Sequence, residues 1–159
     1  MLTSTTELAI RALLVLGLEQ SGDPMTPRAL AARLDCSRSY LGKTLGLLTK
    51  AGLLRSVRGA HGGVLLDRAP ENVTLLDIVE ACQGLVTADY CRGFKGPSHV
   101  CSYHIAMKEL HDATIRTLSG WTLAALLRCP ARPAGDDDKS CKMQFVGCEP
   151  HWPAREETP

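Results

Sequence analysis

A chain of 159 residues that is 45% apolar and only 4% aromatic is long enough for one core with a modest extension and too apolar to stay disordered. With so few aromatic residues the core falls to Leu, Ala, Val and Ile, which favours helices over a β-sandwich. The formal net charge of +1 points to no partner by itself, but within residues 28–68 Arg28, Arg33, Arg38, Lys43, Lys50, Arg55, Arg58 and Arg68 are opposed only by Asp35 and Asp67. That block carries +6 and the remainder −5, the footprint of a nucleic-acid-binding face.

Ser4-Thr5-Thr6-Glu7 has the pattern of a capping box and opens a helix running to about Leu18. This helix is apolar on nearly every side, so it belongs at the centre of the core. Its apolar run, Leu8 to Leu18, contains Arg11 and has no cleavage-like site after it, unlike a signal peptide. It also falls short of the ~20 residues a membrane span needs. The expected location is therefore cytoplasmic, where seven cysteines are better read as buried thiols, metal ligands or redox sensors than as a disulfide framework.

After the break at Gly22-Asp23-Pro24, Thr26-Pro27 is an N-cap followed by proline at the first helical position. A short helix carries Leu30 and Leu34, and Asp35-Cys36-Ser37 makes a tight turn with Ser37 as the next cap. The following helix, Arg38 to Ala51, stops at Gly52. Its inward stripe is Leu41, Thr44 or Leu45, and Leu48, which leaves Arg38, Ser39, Lys43 and Lys50 outward. Two short helices with a basic second member form a helix-turn-helix.

Leu53 to Val57 alternates like a strand, Gly59 to Gly63 is a glycine-rich turn, and Val64-Leu65-Leu66 returns. A hairpin in this place is a wing, with Arg58 at its tip beside Gly59, suited to the narrow minor groove. Thr74-Leu75-Leu76-Asp77 is a second capping box, opening a helix that ends near Gly84. Residues 87–99 read as a loop. A long helix follows from about Val100 to Leu118, with a shorter one through residues 123–127. On the long helix Tyr103, Met107, Leu110, Thr114, Thr117 and Trp121 recur at spacings of four and three, a seam for a partner helix or for packing within the subunit. Beyond Cys129-Pro130 the composition is that of a mobile tail. The expected fold is mainly α with a small β-hairpin. Its parts are a winged helix-turn-helix in 1–84, a cysteine-bearing loop in 85–99, a dimerisation helix and short helix in 100–128, and a tail in 129–159.

The residues resemble the IscR/NsrR (Rrf-type) family of bacterial winged-helix regulators. The likeness is carried by Leu2-Thr3-Ser4, by Ser39-Tyr40-Leu41, and by the run from Gly52 to Gly59 leading into Gly62-Gly63, and it spans about the first four-fifths of the chain. It implies a homodimer, joined through the helix of residues 100–121, on a partly palindromic double-stranded DNA operator, with repression the expected mode. It also implies DNA contacts from Ser37, Arg38, Ser39, Tyr40 and Lys43 and from the wing residues Arg58 and Gly59. The position after Ser-Tyr-Leu, often acidic in the family, is Gly42 here, which passes base preference to Lys43 or Arg38.

Many members hold an iron–sulfur cluster on three cysteines of the loop before the dimer helix. Their fourth ligand is either a nearby histidine or an acid near the partner's N-terminus. By this resemblance Cys91 matches the first cysteine, Cys101 the last, His104 the histidine and Glu7 the acid. The middle cysteine is missing, with Lys95 near its place. A cluster with two non-cysteine ligands remains chemically reasonable, 2Fe–2S before 4Fe–4S, with His104 and Glu7 ahead of His99 as the completing ligands. Glu7 also has a purely structural role open to it as the capping partner of Ser4.

Cys36 and Cys82 read as small core residues. Cys129, Cys141 and Cys148 match no zinc spacing and stay open between cluster completion, a separate metal and no role. Sensing by thiol oxidation or zinc without a cluster is the alternative. A thiol or metal enzyme is remote: no nucleophile–base pair, glycine-rich phosphate loop or zincin motif is present in the sequence.

Overall fold

The computed structural model describes residues 2–19, 22–59, 62–86 and 101–128. Among them the chain forms six α-helices, one two-stranded antiparallel hairpin and a single 3-10 turn. Helix α1 (Ser4–Leu18) is the centre of the core, as its all-round apolarity requires. Every residue from Leu8 to Leu16 except Arg11 is buried. Arg11 reaches instead to the end of the next helix, α2 (Pro27–Leu34), and donates to the Leu34 carbonyl at 3.1 Å, which places a cation at that helix's C-terminus.

The start of α1 differs from the sequence expectation. Its N-cap is Thr3, whose hydroxyl accepts from the Thr6 amide at 3.3 Å, so Ser4 and Glu7 form no capping box. Serine is the intrinsically stronger cap of the two, so tertiary contact decides the choice. The Thr3 amide donates to Gln83 Oε1 at 2.8 Å, a long-range tie that fixes the cap one residue earlier. The other caps follow the sequence: Thr26 caps α2 with Pro27 at its first position, and Ser37 caps α3 (Arg38–Lys50). Between them Asp35 adopts φ 49°, and its amide bonds back to the Ala31 and Ala32 carbonyls. That makes the tight turn of the helix-turn-helix. Leu41, Thr44, Leu45 and Leu48 form the buried stripe of α3.

The hairpin consists of β1 (Leu54–Val57) and β2 (Gly63–Leu66), paired from Leu54 with Leu66 to Val57 with Gly63. A third segment, unforeseen from sequence, joins it: Met25 and Val64 exchange amide-to-carbonyl bonds of 2.9 Å in both directions. A Cβ on Gly63 would lie 2.4 Å from the Met25 carbonyl oxygen, so this staple excludes any side chain there.

A 3-10 turn (Pro70–Asn72) leads to α4 (Leu75–Gln83), whose expected capping box is present. The Asp77 amide donates to Thr74 Oγ1 at 3.1 Å, and the Thr74 amide donates to Asp77 Oδ2 at 2.8 Å. Thr74→Ala is expected to lower the unfolding free energy by about 1 kcal/mol in a urea titration. A change below about 0.3 kcal/mol would show that the box is redundant.

The long helix α5 (Ser102–Gly120) has no buried residue in the single chain. It ends at Gly120, so Trp121, the last member of the expected seam, lies outside it in extended conformation. Here the chain is clasped to the start of α4: the Leu75 amide donates to the Trp121 carbonyl at 2.8 Å and the Leu123 amide to the Val73 carbonyl at 2.7 Å. Helix α6 (Leu123–Arg128) then seals the core, burying Leu123 and Ala124 and laying Leu127 over Gly17 of α1.

Candidate nucleic-acid interface and thiol–imidazole turn

At 100° per residue, the positions of α3 opposite its buried stripe are Ser39, Lys43, Gly46 and Lys50, and all four are exposed. Ser37 accepts from the Tyr40 amide at 3.2 Å, which leaves Arg38 and Ser39 on the first exposed turn. Tyr40 is 38% exposed, and its hydroxyl lies 3.0 Å from that of Thr5 on α1. Its carbonyl accepts from Thr44 Oγ1 at 3.2 Å. The tyrosine ring is thus held between two helices while one edge faces solvent. Thr5 went unnoticed in the sequence because its partner is 35 residues away.

Arg58 and Gly59 are exposed at the hairpin's end, and Gly59 has φ 117°, a conformation that suits glycine. The basic block divides into two sets. Arg33 pairs with Glu19, Arg55 lies 3.9 Å from Asp67, and Arg68 lies 3.9 Å from Asp77. Among the described residues Arg28, Arg38, Lys43, Lys50 and Arg58 enter no ion pair, so their charge is available to phosphates. Arg28 and Arg38 also line an open cleft of about 480 Å³ at the turn between α2 and α3, with Asp35, Cys36 and Ser37. In the sequence alone Arg28 is distinguishable only as part of the basic block.

The second constellation is at the head of α5. Cys101 is exposed and serves as the helix N-cap, its Sγ accepting from the His104 amide at 3.4 Å. His104, half-buried, stands three residues on, which places a thiol and an imidazole on one face of the first turn. These are soft and borderline donors of the kind iron–sulfur and zinc sites use. Among the described residues no three of His, Cys, Asp and Glu converge on one metal position, so Glu7 does not join Cys101 and His104 within one chain. Cys91, Lys95, His99, Cys129, Cys141 and Cys148 lie outside the described residues. Cys36 and Cys82 pack against the core, and burial pushes both thiols above the ordinary cysteine value. This makes them poorer thiolate donors than an open cysteine.

A model of the Rrf2 family, described as an iron-dependent transcriptional regulator, matches residues 2–129. The chain is 30% identical over 130 residues to the HTH-type transcriptional regulator NsrR of Geobacillus kaustophilus, covering 79% of this chain and 88% of that protein. It is 31% identical over 128 residues to the HTH-type transcriptional regulator IscR of Erwinia tasmaniensis, covering 79% and 78%. Among solved structures, the fold is similar to that of CymR from B. subtilis, with a TM-score of 0.68 and 22% identity over 80% of this chain and 95% of that one. Among the described residues no helix is long and apolar enough to cross a membrane.

Proposed function

The chain belongs to the Rrf2 family of transcriptional regulators, and we propose that it is a homodimeric repressor whose operator affinity is set by an iron–sulfur cluster at the head of α5. DNA binding and transcriptional control follow from the family, whose curated relatives are regulators rather than enzymes. The cluster and the dimer are the further steps. In this reading residues 1–84 bind DNA, 85–99 sense, and 100–128 dimerise through α5 and return through α6; the expected loop of 87–99 and the expected tail of 129–159 lie outside the described residues.

The observation that carries the sensing assignment is the exposed Cys101 cap with His104 on the same turn. It sits at the head of a helix with no buried residue in the single chain. Cys91, Cys101, His104 and Glu7 of the partner subunit would hold the group, which when bound supplies a centre that responds to redox state, nitric oxide or iron supply. The chain's own part is mechanical. Cys101 caps α5 through its sulfur, so occupying that sulfur competes with the cap and alters the first turn. The twofold relation between α5 helices sets the separation of the two recognition helices. Ser37, Arg38, Ser39, Tyr40 and Lys43 then meet the major groove, and Arg58 with Gly59 meets the minor groove.

Protein purified without oxygen is expected to contain matching iron and acid-labile sulfide, and Cys101→Ala is expected to lose both while still binding DNA as a folded dimer. Absence of iron and sulfide after reconstitution would remove the cluster. Bound zinc or a titratable Cys101 thiol in such protein would instead assign sensing to zinc or thiol oxidation, which the exposure of Cys101 also permits.

A further inference from the structure

Arg68 belongs by sequence to the basic block, yet its guanidinium, though exposed, is engaged by the molecule's own framework. One guanidinium nitrogen donates to the Ala51 carbonyl at 3.4 Å, at the C-cap of the recognition helix α3. Another lies 3.9 Å from Asp77. The same Asp77 accepts from the amide and hydroxyl of Thr74 at 2.8 and 2.6 Å. Thr74 is the residue bridged to Thr122 in the clasp that ends α5. Polar contacts therefore run from the Ala51 carbonyl at the C-cap of α3, through Arg68 and Asp77, to Thr74, whose neighbours Val73 and Leu75 make the backbone bonds to the segment that ends α5.

We infer that Arg68 is a positioning residue: its planar fork fixes the orientation of the recognition helix relative to α5, and thereby the half-site spacing that the dimer accepts. A guanidinium suits this task because two of its nitrogens can address a carbonyl and a carboxylate at once, which the single ammonium of lysine does less well. Both groups are partly exposed, so the contacts add little to stability. Their effect is directional. Operator binding depends on the separation of two recognition helices, whereas binding to arbitrary DNA does not. The inference rests on the reading of α5 as the dimer helix.

The test uses the full-length protein and a duplex selected by the wild type in vitro. Variants of that duplex with one base pair inserted or removed between half-sites are included, and binding is measured over a range of salt. Arg68→Gln is expected to weaken selected-duplex binding about tenfold. It should flatten the preference among spacings and leave non-specific affinity and the salt slope unchanged. Arg68→Lys, which keeps the charge, is expected not to restore the spacing preference. Asp77→Asn, which retains an acceptor for the Thr74 amide, is expected to flatten it in the same way and serves if the Arg68 variants fold poorly. A fall in salt slope of about one in Arg68→Gln, restored by Arg68→Lys, would make Arg68 a phosphate contact and overturn the assignment. A dimer whose spacing preference survives Arg68→Gln and Asp77→Asn overturns it while leaving the dimer intact. A wild type that sediments as a monomer and ignores spacing overturns the dimer reading and this inference together.

Discussion

Leu110→Lys is expected to yield a folded monomer that binds the operator about a thousandfold more weakly, as loss of the second half-site requires. Leu110 is 59% exposed in the single chain, and Tyr103 and Trp121 are 62% and 43% exposed. No part of the core depends on the Leu110 side chain, so the substitution leaves the DNA-binding unit able to fold. Covering a leucine contributes about 1.5–3 kcal/mol. In a twofold interface each substitution enters twice and places two buried ammonium groups where apolar contact was needed. The half-sites then bind independently and lose the high effective concentration that a dimer supplies. Sedimentation velocity reads the first effect and fluorescence anisotropy on an operator duplex the second. A Leu110→Lys protein that remains a dimer with undiminished affinity would remove α5 as the interface.

The second large effect is expected from Arg58→Ala, which should weaken operator binding about 10–100-fold without changing stability. Arg58 is exposed, enters no ion pair among the described residues, and precedes a glycine at φ 117°. The hairpin behind it is stapled to Met25, so the arginine is presented from a fixed base and little ordering entropy is lost on contact. An arginine in the minor groove favours narrow A·T-rich sequence. Arg58→Ala is therefore expected to erase the difference between operators with A·T and G·C pairs beneath the wing. A loss that is equal for both, with a shallower salt dependence, would place Arg58 on a phosphate instead.

The helix-turn-helix and wing were readable because their signals are local. Thr26-Pro27, Ser37 and Thr74-to-Asp77 are caps whose partners lie within three residues, and the glycines of the hairpin mark its turn. What escaped the sequence depends on contacts between distant segments. Thr3 replaces Ser4 as the cap of α1 because Gln83 holds its amide. Met25 adds to the hairpin from a stretch that carries no strand pattern. Arg68 looks like one more cation until Ala51 and Asp77 are seen beside it. The seam of α5 was legible as periodicity, but periodicity could not say where the helix stops. Trp121 is drawn out of it by the backbone pairing with Val73 and Leu75. Ile105, 50% exposed, lies off that seam, and no sequence signal marked it. For the thiol–imidazole turn, sequence supplied the donors and their spacing, while the capping role of the Cys101 sulfur emerged only from the helix geometry.

The clasp at residues 121–123 has a consequence for how any signal can travel. Helix α5 has 19 residues and is thus a rod about 28 Å long, held to the DNA-binding unit at its tail and carrying Cys101 at its head. On a lever of that length, a displacement of an ångström at the head turns the pivot by only about 2°. If α5 is the dimer helix and Cys101 the sensing thiol, as proposed, graded motion at the first turn is therefore a weak means of re-spacing two grooves. In that reading switching would make or break a whole contact, such as the sulfur cap or a residue of the proposed seam, so that the rod changes between two seatings rather than leaning by degrees.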